Sequence, residues 1–90
     1  MSSRPWDVAF SKAALKDARK LAQSGLRSKA EALIELLRRD PLLTPPPYEK
    51  LVGDLAGMYA RRINLQHRLV YQVLVRERAV KVLRMWTHYE

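Results

Sequence analysis

The strongest constraint on the fold lies in residues 67–75, where Leu69, Tyr71, Val73 and Val75 occupy every second position. Successive strand residues point to opposite faces, so this pattern predicts a strand with one apolar face. Such a strand needs partners beside it and a cover over that face. Residues 58–63 read as a strand joined to it by a tight turn at Asn64-Leu65-Gln66. Residues 79–86 read as a third strand after a turn at Arg76-Glu77-Arg78. Three strands with short connections predict an antiparallel meander.

The cover comes from upstream. Residues 6–10 suit a short strand, and Ser11 can cap a helix running to Ser24, with Gly25 ending it. Ala14, Leu15, Ala18, Leu21 and Ala22 recur at helical spacing, while Lys12, Lys16, Arg19 and Lys20 fall largely off that stripe. Ser28-Lys29-Ala30-Glu31 has the form of a capping box opening a second helix, with Ala30, Leu33, Ile34 and Leu37 as its buried stripe. Asp40-Pro41 stops it. Residues 41–47 read as a stiff, proline-rich connector with too little variety for a core element, and Gly53, Asp54 and Gly57 mark turns beyond it. The order β-α-α-β-β-β predicts an α+β class, an N-terminal strand and helical hairpin packed on an antiparallel sheet, in a single domain over residues 1–90.

A 90-residue chain buries only about 60–65% of its unfolded surface, so its stability margin is thin. There is no cysteine to supply a disulfide or a thiolate metal site. No cofactor is expected. Residues 1–10 hold Pro5 and Asp7 and no apolar leader core, and no apolar run approaches the ~20 residues of a membrane span. These readings point to a cytoplasmic protein without a membrane partner. The net charge of +8, from 17 basic against 9 acidic residues, favours polyanionic partners, with nucleic acid or the ribosome foremost.

Three arginines, Arg61, Arg62 and Arg68, crowd the central hairpin. A guanidinium is always charged and matches phosphate geometry. If Leu69, Tyr71 and Val73 face the helices, Arg68 lies on the open face, where Arg62 can join it across the hairpin. That face reads as an RNA platform or as a solvated surface. Glu49, Arg62, Arg68, His88 and Tyr89 are the residues able to carry chemistry. RNA is cut without metal when a base takes the 2′-OH proton, the oxygen attacks the adjacent phosphate, an acid protonates the leaving 5′ oxygen and cations stabilise the phosphorane. A carboxylate, an imidazole and arginines supply those functions. Each also has a bland reading: Glu49 as a surface carboxylate, Arg62 as a partner of Asp54, His88 as a chain end, Tyr89 as cover for the core edge. His67, beside the turn, reads as structural or solvent-facing.

Leu55-Ala56-Gly57, then Arg61-Arg62-Ile63, then His67-Arg68-Leu69-Val70-Tyr71, with His88-Tyr89 at the end, closely resembles the YoeB/Txe toxins of the RelE/ParE superfamily. The resemblance covers nearly the whole chain. It implies a RelE-like fold and cleavage of messenger RNA in the ribosomal A site, leaving a 2′,3′-cyclic phosphate. It implies mRNA on the ribosome and ribosomal RNA as partners, together with a YefM/Phd-type antitoxin, and homodimers are common in the family. By position Glu49 corresponds to the general base, Arg62 and Arg68 to the phosphate-binding and transition-state arginines, His88 to the general acid, and Tyr89 to the terminal aromatic that places the substrate. Arg61 corresponds to the first of the paired arginines and is counted with Arg62, Lys50 and Tyr89 among the substrate-binding residues. One departure is Val52, where family members often carry lysine, so Lys50 would have to take over that phosphate contact. Another is Glu90, beyond the tyrosine at which many relatives end. Two alternatives stand beside this reading: a ParE-like toxin that poisons gyrase, and a non-catalytic RNA- or ribosome-binding module.

Overall fold

The computed structural model describes residues 4–53 and 57–86. His88, Tyr89 and Glu90 lie outside the described residues, as do Asp54, Leu55 and Ala56. The chain runs β1 (Asp7–Phe10), α1 (Lys12–Gln23), α2 (Arg27–Arg39), β2 (Glu49–Lys50), β3 (Met58–Arg62), β4 (Arg68–Leu74) and β5 (Ala79–Arg84). The strands form one sheet in the order β1-β5-β4-β3-β2. The expected meander is β3-β4-β5, and β2 adds to its edge antiparallel to β3. β1 pairs parallel to β5, so the α+β expectation holds while the sheet is mixed rather than antiparallel throughout.

Leu69, Tyr71, Val80, Val82 and Met85 are buried under the helical stripes of Ala14 and Leu21 from α1 and Ala30, Leu33 and Leu37 from α2. Leu15 stays half exposed at the rim of that stripe, and Val75 lies beyond the end of β4, exposed in the turn. Between Val70 and Tyr71 the β4–β5 register shifts, so Tyr71 opposes Val82 while Val70 opposes Arg84. The bulged Leu83 turns its carbonyl to the Ser11 hydroxyl, which donates to it at 2.8 Å.

The Ser11 cap forms as expected, its hydroxyl accepting from the Ala14 amide at 3.0 Å. The capping box at Ser28 does not. α2 begins at Arg27, with Leu26 in the capping position and no side-chain cap. The reason lies in how α1 ends. Gly25, at φ +74°, turns the chain so that the Leu26 amide donates to the Leu21 carbonyl at 2.9 Å and the Gly25 amide to Ala22 at 3.3 Å. That pairing is a Schellman closure, and it leaves Leu26 partly buried against the core. With Leu26 pinned there, the next helix starts at once and Ser28 falls inside it. Glu31 instead forms an exposed ion pair with Arg27 at 3.0 Å.

Candidate functional site

Register decides which side chains share the sheet's open face. Arg62 stands directly opposite Arg68, Ala60 opposite Val70, and Glu49 opposite Ala60. Cross-strand partners point the same way. Glu49, Arg62 and Arg68 therefore project from the face away from Leu69 and Tyr71. The Glu49 carboxylate lies 3.2 Å from a terminal nitrogen of Arg68. Both are accessible, with the Glu49 side chain 56% and that of Arg68 28% exposed. An ion pair this open contributes no more than about 1 kcal/mol to stability. Stability alone therefore gives little reason for it. Chemically, the pair offers a proton acceptor and a phosphate-matching cation side by side, with a second guanidinium across the strand.

Lys50 alternates to the other face, opposite Tyr59. The register thus separates it from Glu49, and Val52 is largely exposed beyond the strand. Arg61 departs further from its expected substrate-side place. It pairs with Leu69, on the helix-facing side of the sheet, and is 1% exposed. Its Nε donates to the Tyr71 hydroxyl at 3.1 Å, one terminal nitrogen to the Pro46 carbonyl at 2.6 Å, and the other to the carbonyls of Pro41 at 3.0 Å and Leu43 at 2.7 Å. The Tyr71 hydroxyl in turn donates to the Pro41 carbonyl at 2.8 Å. Burial pushes the Tyr71 phenol up, against the lowering influence of the Arg61 charge and hydrogen bond. The connector read as mere linker is therefore tied into the interior through its carbonyls, and Pro41 itself is buried.

Aromatic rings continue that inner layer. Tyr48 meets Tyr59 edge-on at 5.4 Å, Tyr59 stacks with Tyr71 at 5.8 Å, and the Arg61 guanidinium carbon lies 5.2 Å from the centre of the Tyr48 ring. His67 is buried and stacks on Trp86 at 3.8 Å, which answers the choice between structural and solvent-facing in favour of the first. The turn before it is held by Asn64, whose side-chain oxygen accepts from the amides of Gln66 and His67 at 2.8 and 2.7 Å. The stack fixes the end of the last strand beside the start of β4, next to Arg68.

Sequence reasoning missed Asp17, a buried carboxylate that accepts from Arg84 Nε and from the Met85 amide, each at 2.9 Å. Its signal was position: Asp17 falls on the apolar stripe between Ala14 and Leu21. It also missed β2, whose two residues carry no readable period. Among the described residues no group of three or more His, Cys, Asp or Glu side chains is placed to hold a metal ion, and no helix is long and apolar enough to cross a membrane.

The chain has relatives of known family and fold. Toxin YoeB of Synechocystis sp. is 35% identical over 65 residues, spanning 72% of this chain and 73% of that protein. A YoeB/ParE toxin from Agrobacterium tumefaciens superposes with a TM-score of 0.82 at 27% identity, covering 92% of this chain and 99% of that one. The Staphylococcus aureus YoeB dimer gives 0.79 at 32% identity, covering 94% and 99%, and the YoeB-YefM complex from the same organism gives 0.78 at 32%, covering 93% and 98%. The family model describing the YoeB-like toxin of bacterial type II toxin-antitoxin systems matches residues 10–89, so the chain belongs to that toxin family.

Proposed function

We propose that this toxin is a ribosome-dependent endoribonuclease that cuts messenger RNA in the A site and so stops translation. The observation that carries the reading is the exposed Glu49–Arg68 pair at 3.2 Å, with Arg62 directly across the strand. Glu49 takes the proton from a ribose 2′-OH, and the oxygen attacks the adjacent phosphorus in line. Arg68 and Arg62 hold the non-bridging oxygens as charge builds on the phosphorane. An incoming phosphate competes with Glu49 for Arg68, and that exchange frees the carboxylate to act as base. His88 gives a proton to the departing 5′ oxygen. The products are a 2′,3′-cyclic phosphate and a 5′-hydroxyl. Trp86, the last described residue, is anchored on His67, the residue before Arg68. Tyr89 helps place the substrate.

A face that offers mainly guanidinium groups binds phosphate and reads few bases. In-line geometry is costly to organise, and holding reactants in place can contribute roughly 7–11 kcal/mol. The ribosome supplies that orientation, so free RNA is a poor substrate. An antitoxin of the YefM type is the expected inhibitory partner, as in the Staphylococcus aureus complex, and self-association follows the dimer known from that organism.

The test is cleavage of a defined message on programmed ribosomes by the parent protein and by Glu49→Gln, Arg68→Ala and His88→Ala. Each substitution is expected to slow cleavage about 10²–10⁴-fold, the usual worth of a general acid or base, with the far-ultraviolet spectrum unchanged. Parental speed in Glu49→Gln would remove the base assignment. A parent protein that binds ribosomes and leaves the message whole would be a binding module, and one that arrests cells through DNA breaks would be a gyrase poison.

A further inference from the structure

Arg61 presents a physical puzzle. It is a charged side chain 1% exposed, and among the described residues it has no carboxylate partner. Burying a charge without an ion-pair partner is costly unless its donors are all hydrogen-bonded. The question is what those bonds hold in place. What only a guanidinium provides is a rigid planar fork of donors. That fork collects the carbonyls of Pro41, Leu43 and Pro46 and the Tyr71 hydroxyl at one point.

The bound segment leads straight into Glu49. Pro46 precedes it by three residues, and Tyr48, its immediate neighbour, sits over the Arg61 guanidinium and against Tyr59. β2 itself has only two residues and lies at the sheet edge, so ladder hydrogen bonds alone hold Glu49 weakly. Beyond it, the Leu51 amide donates to the Met58 carbonyl at 2.9 Å, and residues 54–56 lie outside the described residues. The approach to Glu49 is thus fixed from the N-terminal side, and Arg61 is the fixing point.

We propose that Arg61 is a positioning residue: from the inner face of the sheet it clamps the proline-rich connector and so sets the Glu49 carboxylate against Arg68 on the outer face. The proposal rests on the nuclease reading for its effect on rate, and on the connector geometry for its effect on structure. Arg61 and Arg62 are adjacent in β3 and point to opposite faces, so one strand carries a phosphate ligand outward and the support of the base inward.

Two measurements on the intact protein test this in Arg61→Met and Arg61→Lys. The first is message cleavage at varied ribosome concentration. Displacing a reacting group by an ångström costs about 10²-fold in rate, so Arg61→Met is expected to lose about that much at saturation while the half-saturating ribosome concentration stays nearly unchanged. Arg61→Lys, which keeps the charge but not the fork, is expected to fall between. A loss confined to half-saturation would mark Arg61 as a substrate ligand and overturn the proposal. The second measurement is amide hydrogen exchange. The Leu43 and Leu51 amides are expected to exchange faster in Arg61→Met while those of α1, β4 and β5 keep their protection. Unchanged protection there, or parental rate at saturation, overturns the proposal. Should Arg61→Met not fold, Tyr71→Phe removes one anchoring hydroxyl and is read by the same two measures, with an expected loss of about fivefold, the worth of one hydrogen bond. If the parent protein cuts no message at all, the nuclease reading falls alone, and the exchange result still decides whether Arg61 clamps the connector.

Discussion

Asp17 joins α1 to the end of β5 through one carboxylate. It sits in the middle of α1, is 2% exposed, and receives both the half-exposed Arg84 side chain and the Met85 amide. Burial raises its pKa, and the hydrogen bonds from Arg84, Met85 and Trp86 together with the Arg84 charge outweigh that, holding it below the ordinary carboxylate value. The same contacts raise the Arg84 guanidinium. A carboxyl lowered in the folded state contributes stability that is complete above its unfolded pKa and disappears as pH falls through the folded one. The Asp17 contribution is therefore intact near neutrality and lost progressively below about pH 4. Asp17→Asn keeps the shape and removes the charge. It is expected to cost about 1–3 kcal/mol at pH 7, the range for losing charge-assisted hydrogen bonds at a buried group. It should also flatten the acid limb of stability. Urea midpoints measured from pH 7 down to pH 3 check both, and a variant as acid-sensitive as its parent would show that other carboxylates govern that limb.

At the level of elements, α1 owes its placement to Ser11, whose hydroxyl caps the helix through the Ala14 amide and donates to the Leu83 carbonyl in the β5 bulge. One oxygen thus sets the helix start and docks it on the sheet. Ser11→Ala is expected to cost about 1–2 kcal/mol, the upper range for a lost cap, because a strand carbonyl loses its partner too. Thermal denaturation measures it, and Ser11→Thr, which keeps the hydroxyl, should recover most of the loss. The Ser11 cap was legible in the sequence because capping is local: a hydroxyl, three residues and an apolar stripe. The 67–75 alternation was legible for the same reason. β2 was not, since two residues have no period and their strand character comes from β3 and the clamped connector. The Ser28 box failed because the Schellman closure at Gly25 acted first. Arg61 was grouped with the substrate-binding residues because adjacent arginines look alike in sequence, and only the Arg62–Arg68 register tells which one faces out.

At the scale of the molecule, a sheet with helices on one face leaves the other open, in a chain whose net charge is +8. On the proposed reading, the Glu49–Arg68 pair makes that open face a chemical surface as well as an electrostatic one. Charge acts at long range and the Glu49–Arg68 contact at short range, so salt separates them. Each phosphate neutralised by the protein releases counterions, with a slope in log affinity against log salt of about −0.7 to −0.9 per contact. Binding to ribosomes is therefore expected to weaken steeply between 50 and 200 mM salt, roughly the window in which such contacts lose orders of magnitude. Arg62→Ala removes one exposed guanidinium from the face and should reduce that slope by about one. On the proposed reading the rate at saturating ribosome should hardly respond to salt, because Glu49 and Arg68 lie 3.2 Å apart, inside the ~8–10 Å screening length at physiological salt. Equilibrium binding and single-turnover cleavage over the same salt series give the two quantities independently. A saturating rate that fell in step with affinity would mean that screening reaches the reacting groups themselves, and the division between a steering charge and a local catalytic pair would have to be given up.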